Sequence, residues 1–236
     1  MRIALALSCC AAALVASMTA ARAANLALVL AVDVSESVTT ERYVLQHDGI
    51  ARAFENPQLV EAINNTPGGI EVLVLEWSDP DRIAITVGWT RVANRASAAS
   101  FAAAVRATTR TSHGLTAIGA AMQAGGAAFD HMPEPAEHKV IDVSGDGSNN
   151  DGRDVTAARD DAVAAGITVN GLPIVEVEPG LDDYYRRNVI GGPGAFVVVA
   201  RDIEAFAEAV LRKLLVEVAY ASPAGAGDVE TRKRRG

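Results

Sequence analysis

One short stretch constrains the fold more than any other. It is an apolar run at residues 26–31 that leads into Asp33, Ser35 and Ser37. An uninterrupted apolar run of this length is typical of a strand buried on both faces, as in a parallel sheet covered by helices. The three polar side chains stand at alternate positions where this strand should end. Because open α/β sheets bind ligands at the carboxyl ends of their strands, the stretch predicts a fold class and a candidate site together.

The chemistry of these side chains favours a hard cation. Carboxylate and hydroxyl oxygens are the ligands that suit Mg²⁺ best. Ser and Asp are also common in turns and helix caps, however, and Thr39 or Thr40 is a suitable N-cap for a following helix. On this stretch alone, a metal site and an ordinary turn therefore remain alternatives.

The rest of the chain alternates strand and helix patterns. The predicted strands cover residues 26–31, 70–77, 82–89, 139–144, 167–174 and 195–200. The predicted helices cover residues 41–54, 59–63, 96–108, 116–129, 154–165, 181–189 and 203–218. Such alternation predicts a doubly wound α/β domain with a mostly parallel six-stranded sheet and helices on both faces. The short connection at residues 78–81 predicts an antiparallel hairpin, which supplies one antiparallel edge strand.

Length and charge exclude several classes of protein. The chain has 236 residues, of which 50% are hydrophobic and 21% charged, enough for one sizeable globular core. The 21 basic and 29 acidic residues give a formal charge of −8 at pH 7. Because binding to phosphates requires basic surface, this balance argues against nucleic acid as the main partner.

The N-terminal residues 1–23 have the pattern of a secretory signal peptide. Arg2 gives a positive start, residues 3–16 are small and apolar, and Ala21-Arg22-Ala23 forms a cleavage site. A membrane anchor is the alternative, but the apolar run is short for a span and rich in alanine. We therefore expect an exported protein, periplasmic or secreted, whose mature chain starts near Ala24 and has no stable membrane span.

The two ends of the chain differ from the domain between them. Both cysteines, Cys9 and Cys10, lie in the predicted leader, so the mature domain should contain neither a disulfide nor a thiolate metal site. Residues 221–236 are small, polar and finally basic, which predicts a disordered tail. The folded domain is therefore predicted to span residues 24–220.

Two further loops should meet the first one. Asp146 follows the fourth predicted strand, and Thr116 begins the helix before that strand. In a doubly wound sheet the first and fourth strands are neighbours across the point where the strand order reverses. Three separate loops would then converge on one crevice, which favours the metal site over the turn.

This combination resembles the von Willebrand factor A domain family and its metal-ion-dependent adhesion site. The family's first motif, D-x-S-x-S, is matched by Asp33, Ser35 and Ser37. Its single threonine is matched by Thr116, and its Asp-Gly pair by Asp146-Gly147. The family usually has a threonine before that pair, where this chain has Gly145, which puts one local hydrogen bond in doubt.

The chain is also similar to a bacterial branch of secreted proteins with this fold, classed as a domain of unknown function. That similarity covers about residues 25–220 and is carried by residues 141–147, 166–172, 184–185 and 189–197. The three motifs are specific in combination, whereas each of them alone is common.

The resemblance implies a divalent-cation-dependent, adhesion-type binding module rather than an enzyme. The implied ion is Mg²⁺, or Mn²⁺ or Ca²⁺, and a partner protein would place an exposed Asp or Glu on its open coordination position. The implied ligands are Asp33, Ser35, Ser37, Thr116 and Asp146. Gly147, Asp142 and Ser144 would support them, although Asp142 could instead pair with a cationic or hydroxyl group as a structural residue. Glu76, near the end of the second strand, leaves the same two alternatives.

A hydrolase is the main alternative function. Ser35, Ser37 or Ser144 could act as a nucleophile with His113 as base, or a bound metal could activate water in the same crevice. No Gly-x-Ser-x-Gly motif is present, and the four histidines show no paired spacing. A nucleotide-binding fold lacks its glycine-rich phosphate loop after the first strand. A purely structural protein remains a third possibility.

Overall fold

The structure is a computed structural model that describes residues 24–221. The predicted leader and nearly all of the predicted tail, residues 1–23 and 222–236, lie outside the described residues. The strands are β1 Ala24–Asp33, β2 Ile70–Trp77, β3 Ile83–Val92, β4 Ala136–Gly145 and β5 Ile167–Pro173. The helices are α1 Thr40–Glu55, α2 Pro57–Asn64, α3 Arg95–Arg106, α4 Ile118–Ala128, α5 Val155–Ala164, α6 Leu181–Tyr184 and α7 Phe206–Tyr220. A 3₁₀ turn, Phe129–His131, follows α4, and a π-helical turn, Tyr185–Val189, continues α6.

The five described strands form one sheet in the order β3-β2-β1-β4-β5. β1 pairs in parallel with both β2 and β4, and β5 pairs in parallel with β4. β3 is antiparallel to β2, as the short connection at residues 78–81 predicts. The strand order therefore reverses between β1 and β4, so the prediction that the first and fourth strands are neighbours is confirmed.

The described sheet has five strands instead of the predicted six. Residues 195–200 form isolated bridges rather than a strand, with Val197 opposite Gly171 and Ala200 opposite Ile174. The side-chain oxygen of Asn170 accepts the backbone N–H of Phe196 at 3.1 Å. Backbone bonds such as Val198 N–H to the Gly171 carbonyl at 3.0 Å join the segment to β5, but Val169 pairs with Gly191 instead, so the pairing stays in isolated bridges.

Helices cover both faces of the sheet, as predicted. Alternate residues of β1, such as Leu28 and Leu30, pack into an apolar cluster with α1, α2, α3 and α7. The intervening residues, such as Val29 and Ala31, pack into a second cluster with α4, α5 and the 181–189 segment. Each cluster removes apolar surface from water, and burial on both faces explains the unbroken apolar run of β1.

Two helix starts determine how the loops are presented. Thr39 caps α1, where its hydroxyl accepts the N–H of Arg42 at 3.3 Å, as the sequence predicts. α4 begins at Ile118 instead of Thr116, so Thr116 lies in the loop before the helix. Within residues 24–221, none of the helices combines the length and the apolar character needed to cross a bilayer.

Candidate metal centre

Asp33 ends β1 and is fully buried at the carboxyl edge of the sheet. Its Oδ1 accepts the backbone N–H of Ser35 at 2.7 Å. Its Oδ2 is also buried, and among the described residues it has no hydrogen-bond partner. Burial raises the pKa of Asp33 to about 7, although the hydrogen bonds from Ser35 oppose that rise. The site therefore contains a carboxylate oxygen that is removed from water and left uncompensated.

Asp146 brings the β4 loop to the same point. It directly follows β4, is buried, and accepts a hydrogen bond from the Ser37 hydroxyl at 2.5 Å on its Oδ1 atom. The Ser37 and Ser35 hydroxyl oxygens are 3.3 Å apart. The loops after β1 and β4 are thus joined through the side chains that the first and third motifs predict.

Thr116 comes from a third loop, which is joined to the loop after β4. Its backbone N–H donates to Asn150 Oδ1 at 2.8 Å, and its carbonyl accepts the Asn150 N–H at 2.9 Å. A Cβ atom placed on Gly147 would lie 3.7 Å from the Thr116 hydroxyl oxygen. The Thr116 hydroxyl therefore lies beside Gly147, the residue that follows Asp146.

The structure thus joins four of the five predicted ligand residues at the carboxyl edge of the sheet, namely Asp33, Ser35, Ser37 and Asp146. It places the hydroxyl of the fifth, Thr116, beside Gly147, the residue that follows Asp146. Within the described part of the chain, no group of three or more His, Cys, Asp or Glu side chains is placed to hold a metal. A cation at this point would have two carboxylates and three hydroxyls, all hard oxygens, and Asp33 Oδ2 as an uncompensated donor. This donor set fits Mg²⁺, Mn²⁺ or Ca²⁺ better than it fits a soft, thiolate-preferring ion.

Arg42 is a residue of the site that the sequence interpretation missed. Its Nη1 atom lies 3.3 Å from Asp146 Oδ2, and its Nη2 atom lies 2.6 Å from Glu176 Oε2. Arg42 is in the first turn of α1, and helical side chains lean towards the N-terminus, here back over the motif loop. That position was the one signal available in the sequence.

The loop before α4 is fastened to the first motif by backbone contacts. Arg110 donates from Nη2 to the carbonyl oxygens of Val34 and Ser35, both at 2.7 Å. The N–H of Glu36 donates to the Gly114 carbonyl at 2.8 Å. These bonds hold Ser35 and the Thr116 loop in a fixed relation before any ligand is present.

Glu76 belongs to a separate buried network beside the site. Its Oε1 accepts from the Tyr43 hydroxyl at 2.8 Å and contacts His47 Nε2 at 3.1 Å. Its Oε2 accepts from the Thr111 N–H at 2.9 Å and the Thr111 hydroxyl at 2.8 Å. Burial alone raises the pKa of Glu76, but the bonds from His47, Thr111 and Tyr43 together hold it below its usual value.

The predicted supporting residues Asp142 and Ser144 do not contact the candidate ligands. Asp142 Oδ1 lies 2.7 Å from the ammonium of Lys213 on α7, which is itself 2.5 Å from Glu217. This is the structural pairing with a cation that the sequence left open for Asp142. The Ser144 hydroxyl donates to the Ala31 carbonyl at 3.4 Å, so it joins β4 to β1.

His113 lies in the loop before α4, and its carbonyl accepts hydrogen bonds from Ser78 and Arg82. Among the described residues, its ring makes no hydrogen bond with Ser35, Ser37 or Ser144. The nucleophile–base pairs that a serine hydrolase would need are therefore not formed in this arrangement.

The family model described as Protein of unknown function (DUF1194) matches residues 23–222. No curated protein matches the chain. Several solved structures are similar in fold. One is a von Willebrand factor type A protein from Catenulispora acidiphila, with 20% sequence identity and a TM-score of 0.60; the match covers 83% of this chain and 43% of that one.

Two other similar structures come from extracellular materials. Proximal thread matrix protein 1 from the mussel byssus, with a zinc-occupied MIDAS motif, shows 15% identity and a TM-score of 0.58 over 84% of this chain and 46% of its own. The pilus adhesin SpaC from Lactobacillus rhamnosus GG shows 13% identity and a TM-score of 0.60 over 83% and 30%. The chain thus spans less than half the length of these proteins, and at such identities the similarity concerns the fold.

Proposed function

Because this chain belongs to the DUF1194 family and folds as a von Willebrand factor A-like domain, we propose that it is an exported, divalent-cation-dependent binding module. Its ligand is an acidic group of a partner protein. The five ligand residues of the site are Asp33, Ser35, Ser37, Thr116 and Asp146. The observation that carries the proposal is the buried, unpartnered Asp33 Oδ2 at the convergence of three loops.

The charges of the site support a cation. Burying a carboxylate oxygen without a partner is costly, and a divalent ion is the ligand that best offsets that cost. The chain would contribute two carboxylates and three hydroxyls to the ion. With so few formal charges the affinity should be weak, on the order of 10⁻⁴ to 10⁻³ M, as in extracellular calcium modules. The zinc in the MIDAS motif of the mussel protein is consistent with metal binding at this place in the fold.

An incompletely neutralised cation provides the chemistry for partner binding. A bound Mg²⁺ would retain a position open to an oxygen from outside the chain, and a carboxylate suits it in both charge and hardness. Leu115 and Val177, which are about half exposed, lie on loops next to Thr116 and next to Glu176. A partner protein bound at the ion would cover these apolar side chains and remove their surface from water. The pilus adhesin among the similar structures is consistent with this type of function.

Export is the second part of the proposal and rests on residues 1–23. Mass spectrometry of the protein purified from its exporting cell should show a chain that starts near Ala24. An intact Met1 in the membrane fraction would contradict this part and leave the binding proposal unaffected.

Partner capture can be tested in extracts of the parent cell envelope. The domain should retain a partner in Mg²⁺ and release it in EDTA, and Asp33→Ala and Thr116→Ala should weaken retention. Thr90→Ala is a matched control, because Thr90 is partly exposed on β3 and its hydroxyl donates to the Gly88 carbonyl at 2.9 Å, a bond that involves none of the five proposed ligands. Equal retention by the wild type in EDTA and by both site variants would show that recognition uses another surface.

A further inference from the structure

Gly145, the last residue of β4, has no room for a side chain. A Cβ atom at this position would lie 2.8 Å from Asp33 Oδ2 and 3.0 Å from the hydroxyl oxygen of Tyr185. Carbon atoms do not approach neighbouring oxygens this closely without displacement. A side chain at residue 145 would therefore displace Asp33 or Tyr185 from this arrangement, and the chain has glycine where the resemblance to the von Willebrand factor A family leads one to expect threonine.

The side chain of Tyr185 occupies part of the space that a side chain at residue 145 would need. Tyr185 begins the π-helical turn Tyr185–Val189, and its side chain is fully buried. Among the described residues, its hydroxyl has no hydrogen-bond partner. A buried tyrosine hydroxyl almost always has a partner, so this one requires an explanation.

The two unpartnered oxygens of the site, Asp33 Oδ2 and Tyr185 Oη, lie 2.8 Å and 3.0 Å from the position that a Cβ atom of Gly145 would occupy, so both flank the last residue of β4. They are not hydrogen bonded to each other. The Tyr185 hydroxyl is a donor and the Asp33 carboxylate oxygen an acceptor; the two lie near each other, and each lacks a partner among the described residues.

The surrounding turn supports a functional origin for this arrangement. π-Helical turns are rare and occur frequently at functional sites. This π-helical turn follows β5 in the chain and places the Tyr185 hydroxyl beside Gly145 of β4, close to Asp33 of the first motif. Its neighbour Tyr184 accepts the N–H of Asn149 at 3.2 Å, so the same segment also holds the loop after Asp146.

We propose that Tyr185 is a positioning residue of the metal site, whose hydroxyl shares with Asp33 Oδ2 one water of the hydrated cation. Mg²⁺ keeps several waters when protein ligands are few, and hydrogen bonds from outside the ligand set orient both ligands and waters. In this chain the Tyr185 hydroxyl takes the place of a hydroxyl on residue 145. The inference depends on the metal site of the proposed function.

Tyr185→Phe tests it, because only the hydroxyl is removed. Calorimetric titration with Mg²⁺ and with Mn²⁺ should show about tenfold weaker binding, at the lower end of the effect of such supporting partners. The melting temperature of the metal-free variant should stay the same or rise, since an unpartnered buried hydroxyl is lost. Tyr220→Phe is the matched control, because Tyr220 is partly exposed at the end of α7 and takes no part in the site; it should bind Mg²⁺ as the wild type does.

The possible outcomes distinguish the role of Tyr185 from the metal site on which that role depends. Wild-type Mg²⁺ affinity in Tyr185→Phe, with or without a change in the melting temperature of the metal-free protein, overturns the role of Tyr185 and assigns it to packing. Wild-type affinity in Asp146→Ala overturns the metal site itself. Weaker binding in Tyr185→Phe, together with its loss in Asp146→Ala, supports both proposals.

Discussion

Asp33 and Glu76 are two carboxylates at almost the same height on neighbouring strands, but they differ in how completely the chain hydrogen bonds them. In the β1–β2 register, Glu76 lies opposite Val32, and Asp33 lies opposite Trp77. Both are fully buried. Glu76 is contacted by four donor groups from Tyr43, His47 and Thr111. Asp33 accepts hydrogen bonds from Ser35, but its Oδ2 atom has no partner among the described residues.

Their pKa values follow this difference. Burial disfavours the charged form of both groups, and in Asp33 it prevails, raising the pKa to about 7. In Glu76 the hydrogen bonds prevail over burial, and the pKa is held below its usual value. A carboxylate whose acceptor sites are filled by its own chain serves structure. One that is buried, incompletely bonded and placed beside a second carboxylate and hydroxyl groups, as Asp33 is, remains available to a cation.

The strongest test of the comparison removes the saturated carboxylate. We expect Glu76→Ala to lower the free energy of unfolding by roughly 3–5 kcal/mol, the usual cost of removing one member of a buried charged network. The variant leaves the Thr111 N–H and the Tyr43 hydroxyl without their acceptor. Urea unfolding of the metal-free protein measures the effect.

Glu71→Ala is the matched control on the same strand. Glu71 is also buried, but burial raises its pKa, and Arg91 Nη1 lies 3.9 Å from its Oε1 atom. Its removal should therefore destabilise the protein clearly less than Glu76→Ala. Equal losses in the two variants would show that packing, and not hydrogen bonding, makes Glu76 important.

The second test neutralises the incompletely bonded carboxylate. Asp33→Asn keeps the shape of the side chain and should leave the metal-free stability unchanged or slightly higher, because a poorly solvated charge is removed. At a Mg²⁺ concentration of about 100 times the dissociation constant, the wild type should gain roughly 2.7 kcal/mol of stability. The variant should not show this gain. A wild-type gain in Asp33→Asn would place the cation elsewhere.

Much of this arrangement could be predicted from local sequence. The apolar run before Asp33 and the alternation of strand and helix patterns were sufficient to predict that β1 and β4 adjoin and that their loops meet. These features depend on periodicity and on general rules of topology, both of which are visible in one sequence. The hairpin and the Thr39 cap were predictable for the same reason.

What the sequence could not show depends on contacts between distant segments. Lys213 of α7 forms an ion pair with Asp142. The Tyr185 and Asp33 oxygens come together on either side of the position that a Gly145 side chain would occupy. Residues 195–200 have a strand-like composition, yet the side chain of Asn170 takes one of their backbone donors. Nothing in the local pattern of either partner indicates such pairings, because tertiary packing determines them.

We expect the smallest effect for a change at Arg42. Its guanidinium partly offsets the buried negative charge of Asp146, whereas Asp33 Oδ2 has no hydrogen-bond partner among the described residues. The Arg42 guanidinium contacts Asp146 Oδ2 at 3.3 Å and is largely buried. It therefore competes with a metal cation for that oxygen, and its positive charge repels the cation. Arg42→Gln should therefore tighten Mg²⁺ binding, by about two- to fivefold given that ion pairs near the surface contribute up to about 1 kcal/mol.

Arg52→Gln is the matched control, because Arg52 is an exposed residue of the same helix paired with Asp48. Calorimetric titration at low and at high salt would separate the two variants, since salt screens the repulsion by Arg42. Weaker Mg²⁺ binding in Arg42→Gln would reverse the interpretation and show that Arg42 holds Asp146 in position for the cation.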